Sequence, residues 1–146
     1  MRVVAQRVSE ARVRVDGAVV GEIGQGLLLL VGAGEGDSAA HVRWLAEKCA
    51  NLRIFEDDDR KMNRSVKDIG GGALVVSQFT LYGDCRKGRR PGFSQALAPE
   101  QAERLVDLFA QCLKAEGITV ASGVFGAKMD VTLTNGGAVT LILEYP

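Results

Sequence analysis

The sequence has few of the residues that usually carry catalysis. It contains one histidine, His41, and three widely spaced cysteines, so no cysteine or histidine cluster has the spacing of metal ligands. The odd number of cysteines argues against a disulfide framework and favours a reducing compartment. We therefore predict no metal and no cofactor. Any catalysis is expected to use backbone groups and a hydroxyl in place of a charged acid–base pair.

Net charge and long apolar runs are missing as well. The 18 Lys and Arg residues balance the 18 Asp and Glu residues, so contact with nucleic acid would need a local patch. The longest apolar run, Leu27 to Val31, is too short to cross a membrane, and the N-terminus lacks the apolar region of a signal peptide. We expect a cytoplasmic protein with no membrane partner.

The pattern that is present is that of one α+β domain. With 146 residues the chain has the size of a single domain, which we assign to residues 1–146. Predicted strands are Val3–Val8, Ala11–Val15, Val19–Ile23, Leu27–Val31, Leu52–Phe55, Ala73–Thr80, Ile118–Ala121, Met129–Thr134 and Ala138–Glu144. The apolar period predicts helices at Ser38–Ala50 and Pro99–Glu116. Many strands and two separated helices predict an antiparallel-rich sheet or partly closed β-barrel with the helices on one side.

Local signals refine this outline. Asp16-Gly17 is a strong hairpin signal between two strands. The run Leu27–Val31 is too apolar for a strand with one wet face, which predicts burial on both faces. Asp37 or Ser38 is predicted to cap the first helix, and the acidic run Glu56–Asp59 is predicted to be a solvated hairpin tip.

The most distinctive polar segment lies at the end of the predicted strand Ala73–Thr80. Strand alternation places Gln78 and Thr80 on one face and Ser77 and Phe79 on the other. One face thus combines an amide with a hydroxyl, which packing does not require. Thr80 is either a functional hydroxyl or a strand-end residue that bonds to backbone.

A second polar segment runs from Thr134 to Thr140 and contains Asn135, Gly136 and Gly137. Paired glycines are typical of a hairpin turn. They also suit a place where a ligand approaches main chain that no side chain shields. The pattern alone leaves both interpretations open.

One concentrated basic patch lies in the predicted loop Tyr82–Gln95 and consists of Arg86, Lys87, Arg89 and Arg90. On a neutral protein such a patch attracts phosphates, although charge runs often only face solvent. Its position directly after the Ser77–Leu81 segment favours the first interpretation.

Two further hypotheses involve single reactive side chains. His41 lacks the nucleophile elbow that a Ser-His-Asp triad would need. Cys85 lies beside Arg86, which favours the thiolate, but no base is near it in sequence. A small-ester hydrolase that uses either residue remains a rival hypothesis, as does an RNA-binding module without catalysis.

Taken together and in order, the polar segments resemble the D-aminoacyl-tRNA deacylase family. The likeness covers essentially the whole chain and is specific because of the ordered set. The matching segments are Gln6-Arg7-Val8, Val15-Asp16-Gly17, Gly21 to Gly24, Lys61-Met62-Asn63, Ser77 to Leu81, Arg86-Lys87-Gly88 with Arg90-Pro91, Phe125-Gly126-Ala127 with Met129, and Asn135 to Thr140.

The resemblance implies a homodimer that hydrolyses the ester between a D-amino acid, or glycine, and the terminal ribose of tRNA. The family's site lies at the dimer interface, where one subunit's Gly137-Ala138 turn enters its partner's pocket. The catalytic residues it implies are Ser77, Gln78, Phe79 and Thr80. Those implied for substrate binding and chiral selection are Arg7, Phe125, Met129, Asn135, Gly137, Ala138 and Thr140, with Arg7 and Met129 holding the turn. The basic patch, Arg86, Lys87, Arg89 and Arg90, is predicted to bind the tRNA.

Two positions depart from the family pattern: Ala138, which matters most, and Glu10, where arginine is frequent and only a modest effect on RNA affinity is expected. The family normally carries proline, after a cis bond, where this chain has Ala138. A cis bond is far less favourable before alanine than before proline. Either the Gly137–Ala138 bond is cis, or it is trans with its carbonyls pointing elsewhere. We expect the fold and the dimer to survive, and the filter that rejects L-amino acids to be relaxed or rebuilt.

Overall fold

The computed structural model describes residues 1–146, which form eight strands, two α-helices and one short 3₁₀ helix. The strands are β1 (Arg2–Val15), β2 (Ala18–Ile23), β3 (Gly26–Gly32), β4 (Phe55–Glu56), β5 (Met62–Arg64), β6 (Gly72–Ser77), β7 (Thr119–Ser122) and β8 (Asp130–Glu144). The helices are α1 (Ala39–Asn51), α2 (Pro99–Ala115) and the 3₁₀ helix Phe79–Tyr82. Neither α-helix is long and apolar enough to span a membrane.

Strand β1 organises the main six-stranded sheet. Its first half pairs with β3 and its second half with β2, while β8 pairs with it along nearly its whole length, all antiparallel. Beyond β3 the sheet continues through β6 and β7, both paired in parallel. The hairpin β4–β5 forms a separate two-stranded sheet. The predicted α+β architecture with an antiparallel-rich, partly closed sheet and two helices is confirmed.

The core has two parts, one on each face of β3. Leu27, Leu29 and Val31 belong to the larger part, which includes the buried faces of both helices. Leu28 points the other way, into a smaller cluster enclosed by the curled sheet. The prediction that this run is buried on both faces is confirmed. Burial raises the pKa of the Cys49 thiol in α1 to about 12, so this cysteine is an inert core residue.

The sheet curls until β2 approaches β7. A side chain on Gly21 of β2 would lie 2.5 Å from the backbone oxygen of Ser122 in β7. Only glycine fits this approach, which nearly closes the barrel.

Two pairs of predicted strands prove to be single strands. Val3–Val8 and Ala11–Val15 are both parts of β1, and Met129–Thr134 and Ala138–Glu144 both fall in β8, apart from Met129 itself. The reason is that β1 and β8 pair with each other on both sides of their polar interruptions. Consequently Gly136-Gly137 is not a hairpin turn.

Three other predictions are corrected. The strand Ala73–Thr80 ends at Ser77, and of Leu52–Phe55 only Phe55 lies in a strand, because the chain there pairs with β5, a strand that was not predicted. Ser38 makes no side-chain cap on α1.

Asp37 also does not cap the helix. Its carboxylate accepts hydrogen bonds from the Met1 ammonium and from the Gly34 N–H. The acidic run does form an exposed hairpin tip, as predicted. There the Asp57 carboxylate accepts from the backbone N–H groups of Asp59 and Lys61.

The approach of β2 to β7 yields a test of the closed sheet. Gly21→Ala is expected to lower the free energy of unfolding by about 1–3 kcal/mol, because the new methyl group meets fixed backbone. Gly24→Ala is the matched control, since no atom lies within 4 Å of a side chain at that position. Urea unfolding of both variants measures the difference, and an equal loss of stability in the two would contradict the closure.

Candidate active site

The chain leaves the sheet directly after Ser77. The last β3–β6 pair joins Val31 to Ser77, and the Gln78 N–H then donates to the Val31 carbonyl at 2.8 Å. Beyond this point the chain turns over the end of β3 because Gly32 offers no side chain to block it. The turn's own hydrogen bonds begin with the Leu81 N–H, so the N–H groups of Phe79 and Thr80 precede them.

This turn corrects the predicted alternation of side chains. Gln78 and Thr80 do not share a strand face. Their side chains are nevertheless in contact, because the Gln78 amide donates a hydrogen bond to the Thr80 hydroxyl. Phe79 is turned outward, with 56% of its surface exposed. The polar cluster expected from the sequence therefore exists, but a 3₁₀ turn builds it where a strand was predicted.

An uncharged cavity of about 560 Å³ opens beside this turn. Fourteen of its 18 lining residues are hydrophobic, and none carries a charge. Of the residues predicted for the site, the cavity brings together Ser77, Gln78, Phe79, Phe125 and Met129. The Thr80 side chain lies outside its wall and reaches it only through Gln78.

One wall of the cavity was not anticipated from the sequence. It is formed by the segment before α2, through Phe93 and residues 96–98, and by Pro99, Ala102 and Val106 of that helix. The Leu97 N–H donates to the Ala33 carbonyl at 3.0 Å, which fixes the segment against the end of β3. Its residues are apolar or small, so the only sequence signal was Pro99 at the helix start.

The second polar segment is a bulge in β8. Gln6 pairs with Thr140 and Val8 with Asn135, so Arg7 alone faces four residues of β8, residues 136–139. We call residues 136–139 the β8 bulge. Asn135 braces it, because its side chain donates to the Thr140 hydroxyl at 2.9 Å and accepts from the Val139 N–H at 3.1 Å. The Gly137–Ala138 bond within it is cis, which answers the question that the sequence left open.

Arg7 ties this bulge to the rest of the chain. Its Nε donates to the Gly136 carbonyl at 3.0 Å, and its Nη1 donates to the Ile54 carbonyl at 2.8 Å. A side chain on Gly137 would meet the same guanidinium, and the positive φ of 125° there favours glycine. Met129 does not contact the bulge of its own chain: it lines the cavity, and its sulfur packs against Gly123.

The bulge and the cavity lie apart within one chain. None of the residues 135–140 lines the cavity of its own chain. Gly137 and Ala138 are instead exposed. The structure therefore divides the residues predicted for catalysis and substrate binding into two groups, one around the cavity and one around the bulge.

The basic patch forms a closed loop. Asp84 and Gly92 exchange two backbone hydrogen bonds, of 2.7 and 2.9 Å, which close residues 84–92 into what we call the basic loop. Arg86 is tied to the Asp84 carboxylate through its Nε at 2.9 Å and its Nη2 at 2.7 Å. Lys87, Arg89 and Arg90 are exposed and form no ion pair.

The two single reactive residues lie in separate surroundings. His41 Nδ1 lies 3.2 Å from the Asp37 carboxylate, and its ring stacks on Tyr145 at 4.3 Å. No hydroxyl or thiol completes a triad there, and neither His41 nor Cys85 lines the cavity. Cys85 is exposed in the basic loop.

The Asp84–Arg86 contact has a measurable consequence. Hydrogen bonds from the Arg86 side chain and backbone lower the pKa of the Asp84 carboxyl to about 2. The contact is therefore complete above the ordinary pKa of 3.8 and is lost as the pH falls through about 2. We expect carboxyl NMR titration to give a midpoint near that value, and Arg86→Gln to raise it. Arg89→Gln is the control that should leave it unchanged, and a wild-type midpoint of 3.8 would show that the contact does not form.

Comparisons with known proteins identify the family. A family model described as D-Tyr-tRNA(Tyr) deacylase matches residues 4–144. The D-aminoacyl-tRNA deacylase of Thermomicrobium roseum is 62% identical over 144 residues, which cover 99% of this chain and 94% of that protein. The protein of the same name from Roseiflexus castenholzii is 60% identical, with 99% and 92% covered. A solved structure named c-Myc DNA Unwinding Element Binding Protein is 38% identical, with a TM-score of 0.93 and coverage of 100% and 99%. The resemblance seen in the sequence is confirmed, and the chain belongs to the D-aminoacyl-tRNA deacylase family of ester hydrolases.

Proposed function

We propose that this protein hydrolyses the ester bond between a D-amino acid, or glycine, and the terminal ribose of tRNA. The observation that carries this proposal is the uncharged cavity beside Ser77–Phe79, next to a loop with three unpaired cations. Its volume of about 560 Å³ falls in the range of small-molecule sites. The products are free amino acid and tRNA, so the protein acts as a cytoplasmic proofreading enzyme in translation. Residues 1–146 act as one domain.

The cavity suits the end of an aminoacyl-tRNA. Its apolar walls accept the planar terminal adenine, and Phe79 and Phe125 offer aromatic surface to it. Because no side chain in the wall carries a charge, nothing there pairs with the charge of a particular amino-acid side chain.

The chemistry requires little from the side chains. An aminoacyl ester is already activated, so its hydrolysis depends on positioning water and stabilising the oxyanion. Water attacks the carbonyl carbon, the bond to the ribose oxygen breaks, and that oxygen takes up a proton. The N–H groups of Phe79 and Thr80 are the proposed oxyanion donors, and the neighbouring ribose hydroxyl of the substrate assists the water.

Thr80 is proposed to act as a positioning residue. Its hydroxyl accepts a hydrogen bond from the Gln78 amide and lies outside the cavity wall. A nucleophile would need a base within reach, and the cavity contains none. The contact therefore holds Gln78, and the backbone on either side of it, in the catalytic geometry.

The complete site is proposed to form between two copies of the chain. Each chain exposes Gly137 and Ala138 on its bulge and leaves its own cavity without them. Next to the bulge, Leu141 and Ile142 are 37% and 71% exposed on a strand that pairs only with β1. An apolar strand edge of this kind favours association. We propose that the bulge of one subunit enters the cavity of its partner, where main chain at Gly137-Ala138 excludes L-amino acids.

The basic loop is proposed to bind the tRNA backbone. Lys87, Arg89 and Arg90 are free to meet phosphates, which attract exposed cations. Arg86 has a different role, because its guanidinium is held by Asp84 and folds the loop. An RNA-binding module without catalysis would use the same loop, so only turnover separates the two functions.

Deacylation of matched substrates tests the proposed function. Purified protein is expected to release the amino acid rapidly from D-aminoacyl-tRNA and from glycyl-tRNA. The matched L-aminoacyl-tRNA reports the selectivity of a bulge that carries Ala138 in place of proline. If the L-aminoacyl ester stays intact, alanine at position 138 is sufficient for rejecting L-amino acids. If the L-aminoacyl ester is hydrolysed, Ala138→Pro should reduce its hydrolysis. No hydrolysis of any of the three would reject the enzyme and favour the RNA-binding module.

The role of Thr80 has its own test. Thr80→Ser should keep turnover, and Thr80→Val should lower kcat without abolishing it, because the hydroxyl positions Gln78. Rapid quenching should trap no acyl-enzyme. His41→Gln and Cys85→Ser are controls expected to match the wild type. A trapped acyl-enzyme together with complete loss in Thr80→Val would make Thr80 the nucleophile, and loss in Cys85→Ser would support the small-ester hydrolase.

A further inference from the structure

Two exposed phenylalanines stand at the rim of the cavity. Phe79 is 56% and Phe93 is 37% exposed, and both line the opening. Their rings meet edge to face, with centroids 5.1 Å apart and planes inclined at 64°. The hydrophobic core does not account for this pair, since neither ring belongs to it.

The ring of Phe93 is held in position from two sides. Its backbone follows Gly92, which closes the basic loop through its bonds to Asp84, and its carbonyl accepts from the Ala96 N–H at 3.1 Å. Its Cε1 lies 3.3 Å from where a side chain on Gly83 would begin. An exposed aromatic ring fixed in this way presents a rigid apolar surface to solvent.

This surface lies between the two parts of the proposed substrate site. It borders the uncharged cavity on one side, and Phe93 directly follows the basic loop on the other. Proteins bind single-stranded nucleic acid by combining cations that follow the backbone with aromatic rings on which successive bases stack. The cavity, the ring and the cations lie in this spatial order. The cavity would hold the terminal nucleoside, the ring would contact the adjacent base, and the cations would contact the phosphates.

We propose that Phe93, supported by Phe79, is a stacking platform for the unpaired nucleotide adjacent to the aminoacylated nucleoside of tRNA. The proposal rests on the proposed function and adds a subsite to it. The platform recognises the face of a base and not its edge, so it is tolerant of base identity. Stacking on the platform would also make the enzyme bind the end of a polynucleotide more tightly than an isolated aminoacyl-nucleoside.

Two substrates and two variants test the platform. The substrates are D-aminoacyl-tRNA and 3′-D-aminoacyl-adenosine, which lacks the adjacent nucleotide. Phe93→Leu removes the ring but stays apolar, and Phe93→Tyr keeps the ring. We expect Phe93→Leu to lower the ratio of kcat/KM for the tRNA to that for the adenosine ester about tenfold, mainly through KM, in line with the loss of one base–aromatic stack. Phe93→Tyr should keep the wild-type ratio.

The ratio separates stacking from a structural effect. Equal losses on both substrates would show that Phe93 only shapes the cavity, and no loss on either would show that no base stacks there. Both results leave the ratio unchanged and overturn the proposal. If the wild type hydrolyses neither substrate, the proposed function fails by itself. The platform is then judged by the binding of uncharged tRNA: weaker binding by Phe93→Leu than by Phe93→Tyr supports it, and equal binding overturns it.

Discussion

The hydrogen bond from Arg7 to the β8 bulge is the contact on which the proposed shared site depends. One residue of β1 faces four residues of β8, and the excess main chain has to be held away from the sheet. The Arg7 guanidinium does this by bonding the Gly136 carbonyl on one side and the Ile54 carbonyl on the other. Without it, only the Asn135 side chain would brace the bulge from which Gly137 and Ala138 project.

This contact explains why a neutral, cysteine-poor and histidine-poor chain can still be an enzyme. The chain supplies a shaped cavity, a turn with N–H groups at its start, and a strip of main chain on a bulge. In the proposed mechanism these parts suffice for an activated ester, because positioning and electrostatic stabilisation lower the barrier. The proposed selectivity rests on main chain and therefore does not depend on the side chain of the amino acid.

Much of the fold follows from sequence pattern, and the exceptions have physical causes. The doubly buried strand at Leu27–Val31 and the helix from Pro99 were predicted because burial and helix-start signals are local. The end of β6 at Ser77 was missed because it depends on Gly32 in a different strand. The β8 bulge was missed because a glycine pair reads as a turn until its partner strand is known.

The site divides in the same way. The residues from Ser77 to Thr80 and the basic loop could be predicted as site residues because polar groups there are unexpected beside apolar strands. The ion pair between Asp84 and Arg86 could not be predicted from the sequence, and neither could the position of Phe93 at the cavity. Both depend on how the loop closes. The separation of bulge from cavity within one chain is visible only in three dimensions.

The most direct test of the central claim, that each site is built from two subunits, is to mix two inactive variants. Arg7→Ala removes the hydrogen bond that holds the bulge and leaves the cavity open. Ala127→Phe fills the cavity and leaves the bulge intact. If the site is shared, each hybrid dimer contains one intact site. In a refolded equal mixture half of the dimers are hybrids, and one of the two sites works in each. The mixture therefore recovers roughly a quarter of the wild-type deacylation. A mixture no more active than the two variants measured separately would contradict the shared site.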